Sequence, residues 1–179
     1  MRELSLHILD LIENAIRAGA SVISVAVAEH ADEDMLEIVV EDNGPGLGVP
    51  PEEATNPFFT TKNGKRVGLG LSLFRATAEQ AGGHLAIGKS PLGGVSVRTT
   101  MQLSHIDRRP LGDLAATLSS VVCTNPHLDL WCRVGSGDDE YVVRASDVAK
   151  EFCANDRCGL AIARRVSEEI KTGLASMNA

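Results

Sequence analysis

An apolar run, Met35 to Glu41, ends in the stretch Asp42-Asn43-Gly44-Pro45-Gly46, and further along the chain comes Gly68-Leu69-Gly70-Leu71. An ionised carboxylate only accepts hydrogen bonds, so Asp42 suits the exocyclic amino group of adenine and repels a guanine carbonyl. Gly44 and Gly46 let the backbone come close to a ligand. Gly68 and Gly70 open an amphipathic stretch, and the free N–H groups at the start of a helix there suit phosphate. Base, close approach and phosphate together point to a nucleotide.

Asn14 lies in a segment otherwise made of good helix formers, where asparagine is a poor choice. Its amide oxygen is a hard neutral ligand, suited to a magnesium ion that keeps several waters and bridges phosphates. Asp10 is one turn earlier, so the two side chains project from one face. That carboxylate could polarise an attacking water or hold one in the magnesium shell. The plainer reading of Asp10, a solvated helix residue, stays open. Glu13 is rotated off this face and belongs to the surface.

Between the glycine pairs runs Pro57-Phe58-Phe59-Thr60-Thr61-Lys62. Two adjacent phenylalanines are costly to leave in water, so this segment must fold onto something. Lys62, Lys65 and Arg66 then stand close in sequence to the glycines, where phosphate charge would accumulate. Ser72 either donates to phosphate or caps the helix. No G-x-x-x-x-G-K-[ST] occurs and the third glycine of a dinucleotide fingerprint is missing, so neither a P-loop nor a Rossmann reading stands.

The elements that must position these residues follow from periodicity. Glu3 to Ala18 reads as a helix with Leu4, Ile8, Leu11, Ile12 and Ala15 on one face, stopped by Gly19. Ser21 to Ala28 and Met35 to Glu41 read as strands joined by a polar turn, His30 to Asp34. Residues 44–67 break the pattern with Gly, Pro and basic residues, a loop longer than compact folds tolerate without a use for it. Gly68 to Gln80 is helical and ends at Gly82-Gly83, and His84 to Lys89 and Val95 to Leu103 are strands. After Leu103 a charged linker, His105 to Pro110, leads to a helix over Leu111 to Val122. A hairpin around Gly135-Ser136-Gly137-Asp138 follows, then a short helix capped by Ser146 and a last amphipathic helix over Gly159 to Leu174.

The chain has 179 residues, enough to bury a real core. Its formal charge of −7 argues against nucleic acid or an anionic membrane as partner, since both reward a basic surface. No apolar stretch is long enough to span a bilayer, and no signal sequence leads the first helix, so we expect a cytoplasmic protein. The four cysteines, Cys123, Cys132, Cys153 and Cys158, form no C-x-x-C and read as ordinary thiols, not as a metal site.

Taken in order, these segments resemble the GHKL superfamily, the ATP-binding fold shared by gyrase-type topoisomerases, the heat-shock chaperone ATPase, histidine kinases and mismatch-repair ATPases. Leu11-Ile12-Glu13-Asn14-Ala15 is similar to the family's N box, with Asn14 at the magnesium-binding asparagine. Asp42-Asn43-Gly44-Pro45-Gly46 resembles the adenine box, the segment holding Phe59, Thr61 and Lys62 the phenylalanine box and lid, and Gly68-Leu69-Gly70-Leu71 the second glycine box. The resemblance covers residues 3 to 103. It implies an α+β fold of the Bergerat type, a two-layer α/β sandwich with helices on one face of a mixed sheet, that binds ATP and Mg2+ between lid and helix layer. Residues 1–104 would form this domain and 105–179 a smaller α/β extension.

Three departures qualify the resemblance. The family usually has a strand and a helix before the N box, so the C-terminal extension or a second chain should cover the sheet edge. Val95 stands where the family often has a threonine near adenine. Asp10 stands where the hydrolysing branches carry glutamate and histidine kinases commonly carry asparagine or histidine. A regulatory ATPase that slowly hydrolyses ATP under a short lid is therefore expected, acting on a protein partner. The whole chain also resembles stand-alone ATP-binding proteins found beside iron hydrogenase components, which suggests a redox complex as that partner. The alternative is a kinase that phosphorylates histidine or serine on a separate protein, because the phosphoacceptor helix pair of histidine kinases is not expected here. His105-Ile106-Asp107-Arg108-Arg109-Pro110-Leu111 echoes a phosphoacceptor box only faintly and reads as linker. A homodimer is a further expectation.

Overall fold

The computed structural model describes residues 3–48, 69–136, 139–152 and 158–177. Helix α1 spans Leu4–Arg17, and strands β1 (Val22–His30) and β2 (Met35–Asp42) follow, joined by a single 3-10 turn at Ala31–Glu33. Helix α2 is Leu69–Gln80, β3 His84–Lys89 and β4 Val95–Gln102. Then come α3 (Leu114–Thr124), β5 (Asp129–Ser136), β6 (Asp139–Arg144), α4 (Ala145–Phe152) and α5 (Cys158–Met177). The strands form one mixed sheet in the order β3-β4-β2-β1-β5-β6, antiparallel throughout except where β5 joins β1 in parallel. The fold is the expected α+β sandwich.

Alternation along the strands decides the two faces. Ile23, Val25 and Val27 of β1, Leu36, Ile38 and Val40 of β2, and Leu130, Cys132 and Val134 of β5 are buried under the helices. The opposite face carries Glu37, Glu41, Arg98, Arg133 and Arg144, tied across strands by pairs such as Arg98–Glu37 at 2.8 Å. From α1 the apolar residues Leu4, Ile8 and Ile12 enter the core, fully buried. Each contributes about 1.5–3 kcal/mol of burial free energy. His7 and Ser5 are buried there too, which the apolar periodicity alone did not indicate.

Residues after 104 continue the same sheet: β5 occupies the free edge of β1, where an edge was expected to need cover. The linker also closes the start of α1. The Leu4 and Ser5 N–H groups, orphans of a first helical turn, donate to the carbonyls of Pro110 and Leu111 at 3.0 and 2.9 Å. Gly112, at φ +76°, lies so close to Glu3 and Ser5 that a side chain there would collide with both. Helix α3 is capped by Asp113, whose carboxylate accepts from the Ala116 N–H at 2.8 Å. Ser146 does not cap α4 as expected. It lies inside that helix, and its N–H donates instead to Asp129 Oδ1 on β5 at 3.1 Å, because a charged acceptor is held within reach of the helix start.

Candidate nucleotide site

Asp42 closes β2 and is 9% exposed. Its Oδ1 accepts from the Gly44 N–H at 2.7 Å and from the Val95 N–H at 3.3 Å. Oδ2 has no hydrogen-bond partner among the described residues. The carboxylate is thus oriented by two backbone donors through one oxygen while the other remains an open acceptor. The geometry depends on Gly94. Its N–H donates to the Asp42 carbonyl at 3.0 Å, and a Cβ on it would lie 2.6 Å from Gly44 N and closer still to Asp42 Oδ1. Gly94 went unmarked in the sequence because nothing local to the turn over residues 90–94 shows that it lies against the end of β2.

The neighbour Asn43 does different work. Its Oδ1 accepts from the Ser21 and Val22 N–H groups, both at 2.9 Å, and its Nδ2 donates to Ser21 Oγ at 3.0 Å. It fastens the end of β2 to the start of β1. Gly46 takes φ +85°, a backbone conformation that suits glycine. A Cβ on Gly44 would lie 2.9 Å from Asp42 Oδ1 and 3.7 Å from the Cβ of Ala20, just beyond α1.

Helices α1 and α2 meet at Asp10 and Gly70. A Cβ on Gly70 would sit 3.2 Å from Asp10 Oδ2, so the second glycine of the pair leaves the carboxylate room beside the first turn of α2. Burial, and then the charge of Glu13, holds the Asp10 carboxyl above the usual carboxylate range. Leu71 packs on the core and seats this first turn. One turn beyond Asp10, Asn14 is exposed and its side-chain amide bonds to no described residue. Glu13 is exposed and paired with Arg17 at 3.3 Å, as its position off the face implied.

Below Asp10 the same interface is locked by His7. Its ring stacks on Phe74 with centroids 4.8 Å apart, and its Nε2 lies 3.2 Å from Thr77 Oγ1. Burial is the main cause that brings the His7 pKa down to about 4, with the Arg109 charge adding to it. Sequence reading passed over His7, since a histidine among apolar residues carries no pattern of its own. The expected site residues Phe59, Thr61, Lys62 and Gly68 lie outside the described residues, and of Leu69 only the backbone is described.

The arrangement is an oriented acceptor at a strand end, an amide and a carboxylate on one helix, and a glycine-bearing helix start beside them. Residues 2–105 match the family described as "Histidine kinase-, DNA gyrase B-, and HSP90-like ATPase". The chain belongs to this family. It is similar to the sensor protein KdpD of Escherichia coli K12, 31% identical over 100 residues that make up 52% of this chain and 11% of that protein. To the sensor protein kinase CarS of Pseudomonas aeruginosa it is 34% identical over 102 residues, 55% of this chain and 22% of that one. It thus spans a small part of either relative's length. Among solved structures, the N-terminal domain of a DNA repair protein shares the fold at TM-score 0.51 and 13% identity, over 80% of this chain and 52% of that one. An ATP-binding domain of the histidine kinase-like type therefore frames the site.

The residues present fit the ligands this family implies. Among the described residues Asp42 Oδ2 is an open acceptor for an amino group, the Gly94 position admits no side chain into the cradle, and the Asn14 amide oxygen has no partner. Among the described residues no helix is long and apolar enough to cross a membrane.

Proposed function

We propose that this chain binds ATP with Mg2+ and hydrolyses it slowly, so that the bound state regulates a protein partner. Asp42 Oδ2 accepts from the adenine amino group, and the backbone around Gly44 and Gly46 lets the base approach. Asn14 would supply an amide oxygen to the cation, whose positive charge would offset that of the phosphates. Asp10 holds a water beside the start of α2 and takes its proton as the oxygen attacks the γ-phosphorus, and ADP leaves with the broken P–O bond. Aspartate is one methylene shorter than glutamate, which favours slow turnover. Phe59, Thr61, Lys62 and Gly68 complete the lid and phosphate contacts in this reading, and a redox-enzyme component is the first partner to try.

The observation that carries the reading is the Asp42 carboxylate, oriented through Oδ1 and open at Oδ2. The test is ATP affinity in the full chain with Asp42→Asn. An amide presents a donor as readily as an acceptor, so affinity should fall by about a hundredfold. Unchanged affinity rejects the adenine assignment.

A second reading is supported as well: the relatives KdpD and CarS are named as sensor protein and sensor protein kinase. Here the γ-phosphoryl passes to histidine or serine on a separate protein. Incubation with γ-labelled ATP separates the two. Free labelled phosphate without a partner supports hydrolysis; label retained on an added partner protein, with no free phosphate released alone, supports the kinase.

A further inference from the structure

Strand β6 ends the sheet, and among the described residues nothing pairs with its outer side. Which of its backbone groups point outward follows from its neighbours. The Asp129 N–H donates to the Ser21 carbonyl of the adjoining chain segment at 2.9 Å. Odd-numbered residues of β5 therefore turn their backbone groups to β1 and even-numbered ones to β6. Through the register Cys132↔Val143 and Val134↔Tyr141, Tyr141 and Val143 bond inward. Glu140, Val142 and Arg144 turn their N–H groups out.

Natural edges are commonly blunted by proline, lysine or a bulge. The span 140–144 has neither proline nor lysine, its pairing with β5 runs without a bulge, and Val142 is 56% exposed. Its charges are arranged for self-recognition. Antiparallel pairing of two copies about a two-fold axis at Val142 sets Glu140 opposite Arg144 of the second copy, twice over. Moving the axis to Glu140 or to Arg144 sets like charges opposite each other, and an axis at Tyr141 or Val143 places a charge against Val142. One register alone matches charge with charge.

The open face of the sheet leads to the same place. Arg133 lies 4.0 Å from Glu41 and 3.9 Å from Glu140, an alternating row that stops at the edge on Glu140, whose side chain is 53% exposed. Arg144 of a second copy would continue the alternation.

We propose that β6 pairs antiparallel with β6 of a second copy of this chain, with Val142 on the two-fold axis and one sheet running through both. Val142 exchanges N–H and C=O bonds with its counterpart, and the Arg144 N–H reaches the Glu140 carbonyl across the axis. The pairing uses none of the nucleotide-site residues, so it stands or falls apart from the reading of that site.

Sedimentation velocity of the full chain over a wide concentration range tests it. The unaltered protein should pass from monomer to dimer. Val142→Pro removes an outward N–H while sparing the ladder to β5, and should weaken dimerisation at least about tenfold. Glu140→Arg sets like charges opposite each other and should do the same, and adding Arg144→Glu to it should restore the dimer. A protein that stays monomeric at every concentration overturns the proposal, as does a dimer indifferent to Val142→Pro. Should that variant not melt cooperatively, the charge series decides: a dimer untouched by Glu140→Arg, or not regained by the double reversal, overturns it equally.

Discussion

Gly94 lies against the Asp42 carboxylate from the turn that leads into β4, its N–H bonded to the Asp42 carbonyl at 3.0 Å and its Cα leaving no space for a methyl group. A Cβ there would meet Asp42 Oδ1, Gly44 N and the Asp42 carbonyl oxygen, the last at 2.8 Å. Two of these are backbone atoms that cannot rotate away. Gly94→Ala must therefore shift the end of β2 or the turn before β4. We expect a loss of about 2–4 kcal/mol of stability by urea unfolding. ATP affinity should fall in the protein that remains folded, as in Asp42→Asn. A variant that binds ATP normally would show that the carboxylate's position is not what the nucleotide reads.

Asn43 and Asp42 are adjacent but should fail differently. Asn43→Ala removes the acceptor of two backbone N–H groups at the start of β1, leaving them to water or unpaired. The expected cost is about 1–3 kcal/mol, with ATP affinity within about threefold of the original. Asp42→Asn should show the reverse, an intact melting temperature and lost affinity. Urea unfolding and an ATP titration on both variants make the comparison.

The sequence was legible where the residues concerned are neighbours in the chain. Asp42, Gly44 and Gly46 share one turn, Asp10 and Asn14 share one helix face, and strand periodicity marked β1 and β2. It fell short where a contact is made by residues far apart. Gly94 is needed because of Asp42, His7 because of Phe74 and Thr77, and Gly112 because of Glu3 and Ser5. None of these has a local signal. The cap of α4 was assigned to Ser146 for the same reason: serine is a common local cap, whereas Asp129 reaches the helix only through the β5–β6 hairpin. That β5 would pair in parallel beside β1 was legible only as a free edge in need of a partner.

Cys123 and Cys132 should differ sharply toward a thiol reagent. Burial pushes the Cys132 thiol up to about 12, and its side chain lies under the helices, while Cys123 is exposed on α3. The thiolate is the reactive form. In the folded protein near pH 8, iodoacetamide followed by peptide mass spectrometry should find Cys123 modified and Cys132 intact until denaturant is added. Modification of Cys132 at a comparable rate would contradict its place in the core.

Asp10 is expected to cost stability in return for its position. Its folded pKa lies above the ordinary value, so the charged form is disfavoured by the fold. The sign follows: whatever this group adds to stability is present below the unfolded pKa and lost as pH rises through the folded one. At neutral pH, Asp10→Asn should therefore melt about 1–2 °C higher than the original, and the two should coincide near pH 3. Phosphate release should fall in the same variant if Asp10 acts on water. A lower melting temperature at pH 7 would mean that the carboxylate is held by favourable contacts instead.

His7 gives the fold a pH dependence of opposite sense. Its folded pKa of about 4 lies below the unfolded value of about 6.5. Between these values the unfolded chain binds more protons, so stability rises with pH across the window and is flat on either side of it. Acidification from pH 7 to pH 4 should cost on the order of 2 kcal/mol through this group, after allowance for solvent screening. His7→Gln keeps a hydrogen-bonding group near Thr77 but removes the titration, so its stability should be lower at pH 7, where the stacking on Phe74 is lost, yet change less between pH 7 and pH 4. Denaturant unfolding at several pH values reads both slopes. Equal slopes would show that the histidine between α1 and α2 is not held neutral by burial, and that the acid sensitivity of the fold arises elsewhere.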